Sequence, residues 1–145
     1  MNPTAAQRRL AKELEEFHAK RASTLGVAVS LADAHTWLGY VQGKPGSPFE
    51  THTLVLQIRF PVDYPFKPPV FTFLTSVPDG ARLKAMVHAG PDGECVCPHC
   101  FPMIKREWSP ARLVHQVLQA LQDLCDVAEP TPRACEHTSQ SVKVL

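Results

Sequence analysis

Leu54-Val55-Leu56-Gln57-Ile58-Arg59-Phe60, followed at once by Pro61-Val62-Asp63-Tyr64-Pro65-Phe66-Lys67-Pro68-Pro69, carries the clearest structural signal in the chain. Leu54, Leu56, Ile58 and Phe60 alternate with Val55, Gln57 and Arg59, so a strand here has one apolar face and one mixed face. The four prolines that follow remove backbone donors and fix φ, which ends the strand and excludes regular structure over residues 61–69.

Working outward, Val70 to Leu74 reads as the next strand. On the other side, Gly43-Lys44-Pro45-Gly46-Ser47-Pro48 is a turn cluster. It is preceded by Thr36 to Gln42, where Trp37 and Tyr40 suit a half-buried sheet, and by a short Val-rich strand from Gly26 to Ser30. Thr4 caps an amphipathic helix running to about Lys20. Leu10, Leu14 and Phe17 lie on one stripe of it, with Arg8, Lys12 and Glu15 opposite. Four strands joined by turns make an antiparallel meander that this helix can cover, an α+β arrangement. Residues 75–107 show no sustained periodicity and are expected to form a long functional loop. A second helix is expected from Ser109 (N-cap) and Pro110, with Leu113, Val114, Val117, Leu118, Leu121 and Leu124 as its apolar face. Beyond Asp126 the chain is polar and broken by Pro130 and Pro132, and no internal repeat is visible.

The bulk numbers narrow the function. A length of 145 residues, 44% hydrophobic and 20% charged, suits a single globular domain over 1–145. A net charge of +1 gives no reason to expect nucleic acid or an anionic membrane as partner. No apolar run approaches the roughly 20 residues of a membrane span. Met1-Asn2-Pro3-Thr4 leads into a charged helix with no signal-peptide pattern, so cytoplasm or nucleus is the expected compartment. Three of the five cysteines crowd into Cys95-Val96-Cys97-Pro98-His99-Cys100, which favours reactive-thiol or metal chemistry over a disulfide framework.

Several segments then match one family in order. Arg8-Arg9-Leu10-Ala11-Lys12-Glu13-Leu14, Ser47-Pro48-Phe49-Glu50, Phe60 to Pro69, Trp108-Ser109-Pro110-Ala111 and Leu124-Cys125-Asp126 together resemble the ubiquitin-conjugating enzymes. The match covers about residues 4–74 and 100–130. The resemblance implies an α+β conjugating domain that accepts ubiquitin or a ubiquitin-like modifier as a cysteine thioester from an activating enzyme. It then transfers the modifier to a lysine amine of a protein substrate, with a ligase (RING-type among the options). No cofactor and no metal is implied, because the activating enzyme consumes the ATP. By the same resemblance Arg8, Arg9 and Lys12 dock the activating enzyme, and Phe66, Pro110 and Ala111 meet the ligase. The bland alternative for the first set is a solvated helix face with an Arg9–Glu13 pair worth a few tenths of a kcal/mol. For Phe66 it is a half-packed loop residue. Trp37 and Trp108 read as packing residues.

The family cysteine stands eight residues before the Trp of Trp-Ser-Pro, and Cys100 stands eight before Trp108. Counted from the family's His-Pro-Asn, however, Cys97 lies nearer the expected place, nine residues after His88. The upstream loop is irregular, since His88 is 19 residues after Pro69 and Pro78-Asp79-Gly80 looks inserted, so the downstream count is preferred. Cys100 is therefore the expected nucleophile, Cys97 its rival and Cys95 a distant third; Cys125 reads as core, and Cys135 has no assigned role. After His88 come Ala89 and Gly90 in place of Pro and Asn. The resemblance assigns that Asn amide to the acceptor loop and to the oxyanion, and losing such a donor costs on the order of 3 kcal/mol of transition-state stabilisation. Charging is expected to survive while discharge to lysine slows. His99 is one conceivable substitute, and Glu129 or Thr131 falls where the family orients its acceptor lysine.

Two rival classes remain open. One is a catalytically inactive variant of the same fold that acts as a binding module. The other is a zinc-stabilised interaction domain in which the Cys97–Cys100 pair is joined by His88, Cys95 or His99. The chain also ends soon after Asp126, where many family members continue with two further helices, so a shortened C-terminus is expected.

Overall fold

A computed structural model describes residues 4–19, 26–128 and Cys135. Its centre is an antiparallel sheet in which β1 (Val27–Asp33), β2 (Thr36–Gln42), β3 (Thr53–Arg59) and β4 (Val70–Phe73) form the expected meander. Alternation along β3 becomes burial: Leu54, Leu56 and Ile58 are buried while Val55 and Gln57 are half-buried. Trp37 pairs with Ile58 across β2 and β3, and its ring packs edge-on against Phe60 at 4.9 Å. Each large side chain buried in this way stabilises the fold by about 1.5–3 kcal/mol.

Among the described residues the sheet has six strands, not four, in the order β1-β2-β3-β4-β6-β5. The added hairpin, β5 (Val87–Ala89) and β6 (Glu94–Val96), lies within the segment read as an unstructured loop, which also holds 3-10 turns at Arg82–Met86 and Pro102–Ile104. Strands of three residues are too short to show alternation. These are held by pairing instead, with Thr72 opposite Cys95 and Phe73 opposite Glu94. Gly93 makes that pairing possible: its φ is 152°, and a Cβ there would stand 2.1 Å from the Phe73 carbonyl oxygen. Glu94 braces the Pro78-Asp79-Gly80 excursion, accepting from Val77 N–H at 2.9 Å and from Lys84 Nζ at 2.6 Å.

Helix α1 (Ala5–Ala19) begins with a capping box: Gln7 N–H donates to Thr4 Oγ1 at 3.1 Å, and Thr4 N–H to Gln7 Oε1 at 2.9 Å. The expected end near Lys20 lies just outside the described residues. Helix α2 (Val114–Cys125) starts later than the Ser109-Pro110 signal suggests. Residues 109–112 close a turn, Arg112 N–H to Ser109 oxygen at 2.9 Å, but tertiary partners take the groups that would extend it into the helix. The Arg112 carbonyl accepts from Arg9 Nη2 at 3.2 Å, and Val114 N–H donates to the Glu13 carboxylate.

Glu13 is thus a cap supplied by another helix. It is 3% exposed and accepts hydrogen bonds from Val114 N–H, Tyr64 Oη at 2.6 Å and Arg9 Nε at 3.3 Å. The N-cap Leu113 has no acceptor of its own, so the carboxylate serves both the orphan amide and the positive end of the helix dipole. This junction also anchors the proline loop through Tyr64, whose hydroxyl is held far above its usual pKa by burial and by the Glu13 charge.

Candidate functional site

The hairpin and the turn after it bring the candidate site together. Cys97 N–H donates to Met86 oxygen at 2.8 Å just past β6, and Phe101 N–H returns to Cys97 oxygen at 2.8 Å. This closes one turn that carries both Cys97 and Cys100. Cys97 is 0% exposed, whereas Cys100 is half-buried at the surface and His99 is exposed. Phe101 and Ile104, just after Cys100 in the chain, are buried in the core cluster, which fixes the turn to the core.

The Cys100 thiol is pushed up to about 12, first by burial and then by hydrogen bonds with Cys135 and Cys97 that favour the protonated form. Cys135 Sγ lies 3.5 Å from Cys100 Sγ and 3.9 Å from His88 Nδ1. The ligand atoms of His88, Cys97 and Cys135 all lie within 4.8 Å of one another. Sequence reasoning missed Cys135, because it stands 35 residues from Cys100 with no motif to link them. Of the further ligands the sequence suggested, His88 is in this group with Cys97, whereas Cys95, opposite Thr72 in the sheet with its sulfur 3.5 Å from Thr72 Oγ1, is not. Cys125 is core as expected, 1% exposed, and burial raises its thiol to about 11.

At the family's Asn position the backbone cannot stand in for the missing side chain. Gly90 N–H is already donated to Gly93 oxygen at 2.7 Å within the hairpin turn. A Cβ at Gly90 would lie 2.6 Å from Cys95 Sγ, so Cys95 fills the space where a side chain would start. Glu129 and Thr131, the expected acceptor-side residues, lie outside the described residues.

The docking candidates divide. Arg8 and Lys12 are exposed, but Arg9 is a strut, bonded to Glu13 and Arg112 with its guanidinium 5.9 Å from the centre of the Tyr64 ring. The solvated reading of the Arg9–Glu13 pair therefore fails, because the carboxylate is buried. Phe66 is 74% exposed, and Pro110 and Ala111 are exposed too. Trp108 Nε1 donates to the Pro65 carbonyl at 2.9 Å and so ties the loop bearing Phe66 to the segment bearing Pro110 and Ala111.

The meander is packed by α2 on β1 and β2 rather than covered by α1 as the sequence suggested, and with the proline loop after β3, the cysteine turn and the Trp-Ser-Pro segment before α2 it has the architecture of a conjugating-type domain. The family model described as "Ubiquitin-conjugating enzyme" matches residues 9–143, and the chain belongs to that family. It is 32% identical over 130 residues to "Probable ubiquitin-conjugating enzyme E2 31" of Arabidopsis thaliana, covering 90% of this chain and 76% of that one. It is 29% identical to "Ubiquitin-conjugating enzyme E2 1" of Schizosaccharomyces pombe over 86% of this chain and 52% of the relative. The fold is shared with ubiquitin-conjugating enzyme E2 UbcA1 from Agrocybe aegerita (TM-score 0.75, 24% identity, 99% and 96% of the two chains). It is shared also with a Toxoplasma gondii ubiquitin-conjugating E2 domain (TM-score 0.67, 28% identity, 95% and 84%).

Proposed function

We propose that this chain accepts ubiquitin or a related modifier on Cys100 and yields it to a lysine amine, with help from a ligase. In charging, Cys100 Sγ attacks the thioester carbonyl carbon on the activating enzyme. A new carbon–sulfur bond forms, the old one breaks, and the Cys100 proton ends on the departing thiolate, so atoms and charge balance. The lysine nitrogen then attacks the same carbon, loses a proton, and expels Cys100 as thiolate.

One observation carries this reading: of the two cysteines near the family position, Cys97 is 0% exposed, while Cys100 is reachable and stands eight residues before Trp108. Arg8 and Lys12 are the residues proposed to meet the activating enzyme, and Phe66, Pro110 and Ala111 the ligase. Arg9 contributes to the first surface by holding α1 against α2. The proposed compartment is the cytoplasm or nucleus, where thiols stay reduced.

The test mixes the metal-free protein with candidate modifiers, their activating enzymes and ATP, and reads a non-reducing gel. A thiol-sensitive adduct lost in Cys100→Ala and kept in Cys97→Ala is expected, with Cys100→Ser trapping a stable ester. The second reading, a binding module without carrier activity, is favoured by the spent Gly90 amide and by the crowding of Cys100 against Cys135. Under it no adduct forms, yet the modifier or a partner enzyme still binds.

A further inference from the structure

We propose that Cys97, Cys100, Cys135 and His88 form a tetrahedral site for a thiophilic divalent ion, zinc in the cell, and that an ion held there withdraws Cys100 from acyl transfer. The second half of this proposal rests on the carrier reading; the first does not.

The residue types come first. Three cysteine sulfurs and one imidazole nitrogen are a set that binds zinc tightly and calcium or magnesium poorly. Cys97-Pro98-His99-Cys100 has the two-residue spacing by which one turn commonly supplies two ligands to one ion. The geometry agrees. With zinc–sulfur bonds of about 2.3 Å and zinc–nitrogen bonds of about 2.0 Å, tetrahedral ligand atoms stand about 3.5–3.8 Å apart. Cys100 and Cys135 sulfurs are 3.5 Å apart, and Cys135 sulfur is 3.9 Å from His88 Nδ1. Cys97 sulfur completes a triangle with the last two, within 4.8 Å of both; Cys100 sulfur stands outside that triangle, against Cys135, and has to move inward to become the fourth ligand.

The arrangement is not a by-product of local chain proximity. His88 comes from β5, Cys97 and Cys100 from the turn after β6, and Cys135 from well beyond α2. Cys135 sulfur lies between Cys100 sulfur and His88 Nδ1, which are brought there by different elements. A shared ion would give these groups one common partner. Cys97 is fully enclosed and the other three are half-buried, so the site is shielded without being sealed from solvent. Binding releases one proton from each thiol that enters as thiolate, and an imidazole that enters neutral releases none. Once coordinated, Cys100 Sγ has its lone pair on the metal. Charging and metal occupancy then exclude each other.

The full-length chain, purified under reducing conditions without chelator, is expected to carry about one zinc per chain by elemental mass spectrometry. Stripped of metal and titrated with Co2+ alone, it should show sulfur-to-cobalt charge-transfer absorption and the intense visible bands of a tetrahedral site, both abolished by added Zn2+. Cys135→Ser and His88→Ala should each weaken binding by more than about 100-fold, while Cys95→Ser leaves it unchanged. Cobalt binding without a sulfur band, binding indifferent to Cys135→Ser, or a Cys100–Cys135 disulfide in the reduced preparation would each overturn the site.

The charging arm separates the two claims. Protein loaded with zinc beforehand, then freed of excess metal, is compared with metal-free protein and with Cys135→Ser. Adduct on metal-free protein that falls at least about tenfold on zinc loading, and does not fall in Cys135→Ser, supports both halves. Metal bound as predicted with no adduct in either form keeps the site and sinks the carrier reading. Equal adduct in loaded and metal-free protein overturns the exclusion, and adduct with no metal uptake sinks the site and leaves the carrier standing.

Discussion

Two junctions in this molecule use opposite chemistry to join distant parts of the chain. At Glu13 a buried carboxylate collects three donors, from α1, from the proline loop and from the first turn of α2. At Cys100 a set of thiols and an imidazole converges from β5, the turn after β6 and residue 135, with contacts of 3.5 Å and 3.9 Å. The first is a hard-charge joint whose hydrogen bonds are mutually satisfied, so it holds the scaffold rigid. The second is a soft cluster whose strongest bonds would be to something not made of protein. The contrast teaches where this family member has kept its framework and where it has departed. The proposed docking faces hang on the Glu13 joint, while the proposed reactive centre departs from the family pattern at Gly90 and around Cys100.

If the Glu13 joint is rigid in this sense, removing its carboxylate should have the largest effect on the molecule. Glu13→Ala leaves Val114 N–H, Tyr64 Oη and Arg9 facing a void, and should cost about 3–5 kcal/mol in urea unfolding. A loss below 1 kcal/mol would mean the joint is replaceable by water.

The proposed reactive centre should reveal itself next, in discharge. With Gly90 N–H spent in its turn, single-turnover transfer from the charged chain to free lysine should be about 100-fold slower than in an Asn-bearing relative, corresponding to about 3 kcal/mol. Restoring the side chain alone should not help. Gly90→Asn meets Cys95 Sγ, and only Gly90→Asn combined with Cys95→Ala has room to recover rate. Equal rates in the single and double variants would show that space at residue 90 is not the obstacle.

Smaller effects sharpen the first junction. Tyr64→Phe removes one hydrogen bond to a charged acceptor and should cost about 1.5–3 kcal/mol, less than Glu13→Ala because the other two donors keep their partner. Phe66→Ala should change stability by no more than about 0.5 kcal/mol, since the ring is exposed, while reducing ligase-stimulated discharge. Arg8→Ala and Lys12→Ala should behave likewise, slowing charging without loss of stability, whereas Arg9→Ala should lose both. That split separates the docking residues from the strut.

Much of the framework was legible because its signals are local. Alternation in Leu54–Phe60, the Thr4 cap and the prolines of 61–69 each act within a few residues, and each appears in the structure as read. Ser109-Pro110 misled for the same reason: it is a sound local start signal, but Arg9 and Glu13, far away in sequence, claim the Arg112 carbonyl and the Val114 amide. The β5–β6 hairpin was hidden because three-residue strands have no period to detect. Cys100 was legible from Trp108, while Cys135 was not, since no spacing rule relates a residue beyond α2 to a turn before it.

By itself, then, the sequence determined the family, the meander, the position of Cys100 relative to Trp108 and the loss of the asparagine, because motif, alternation and spacing are written along the chain. Only the tertiary structure decided that Cys97 is closed, that Glu13 caps a helix it does not belong to, and that Cys135 meets His88 and Cys100. Burial and convergence are properties of surfaces brought together from distant segments, and no single stretch of the chain contains them.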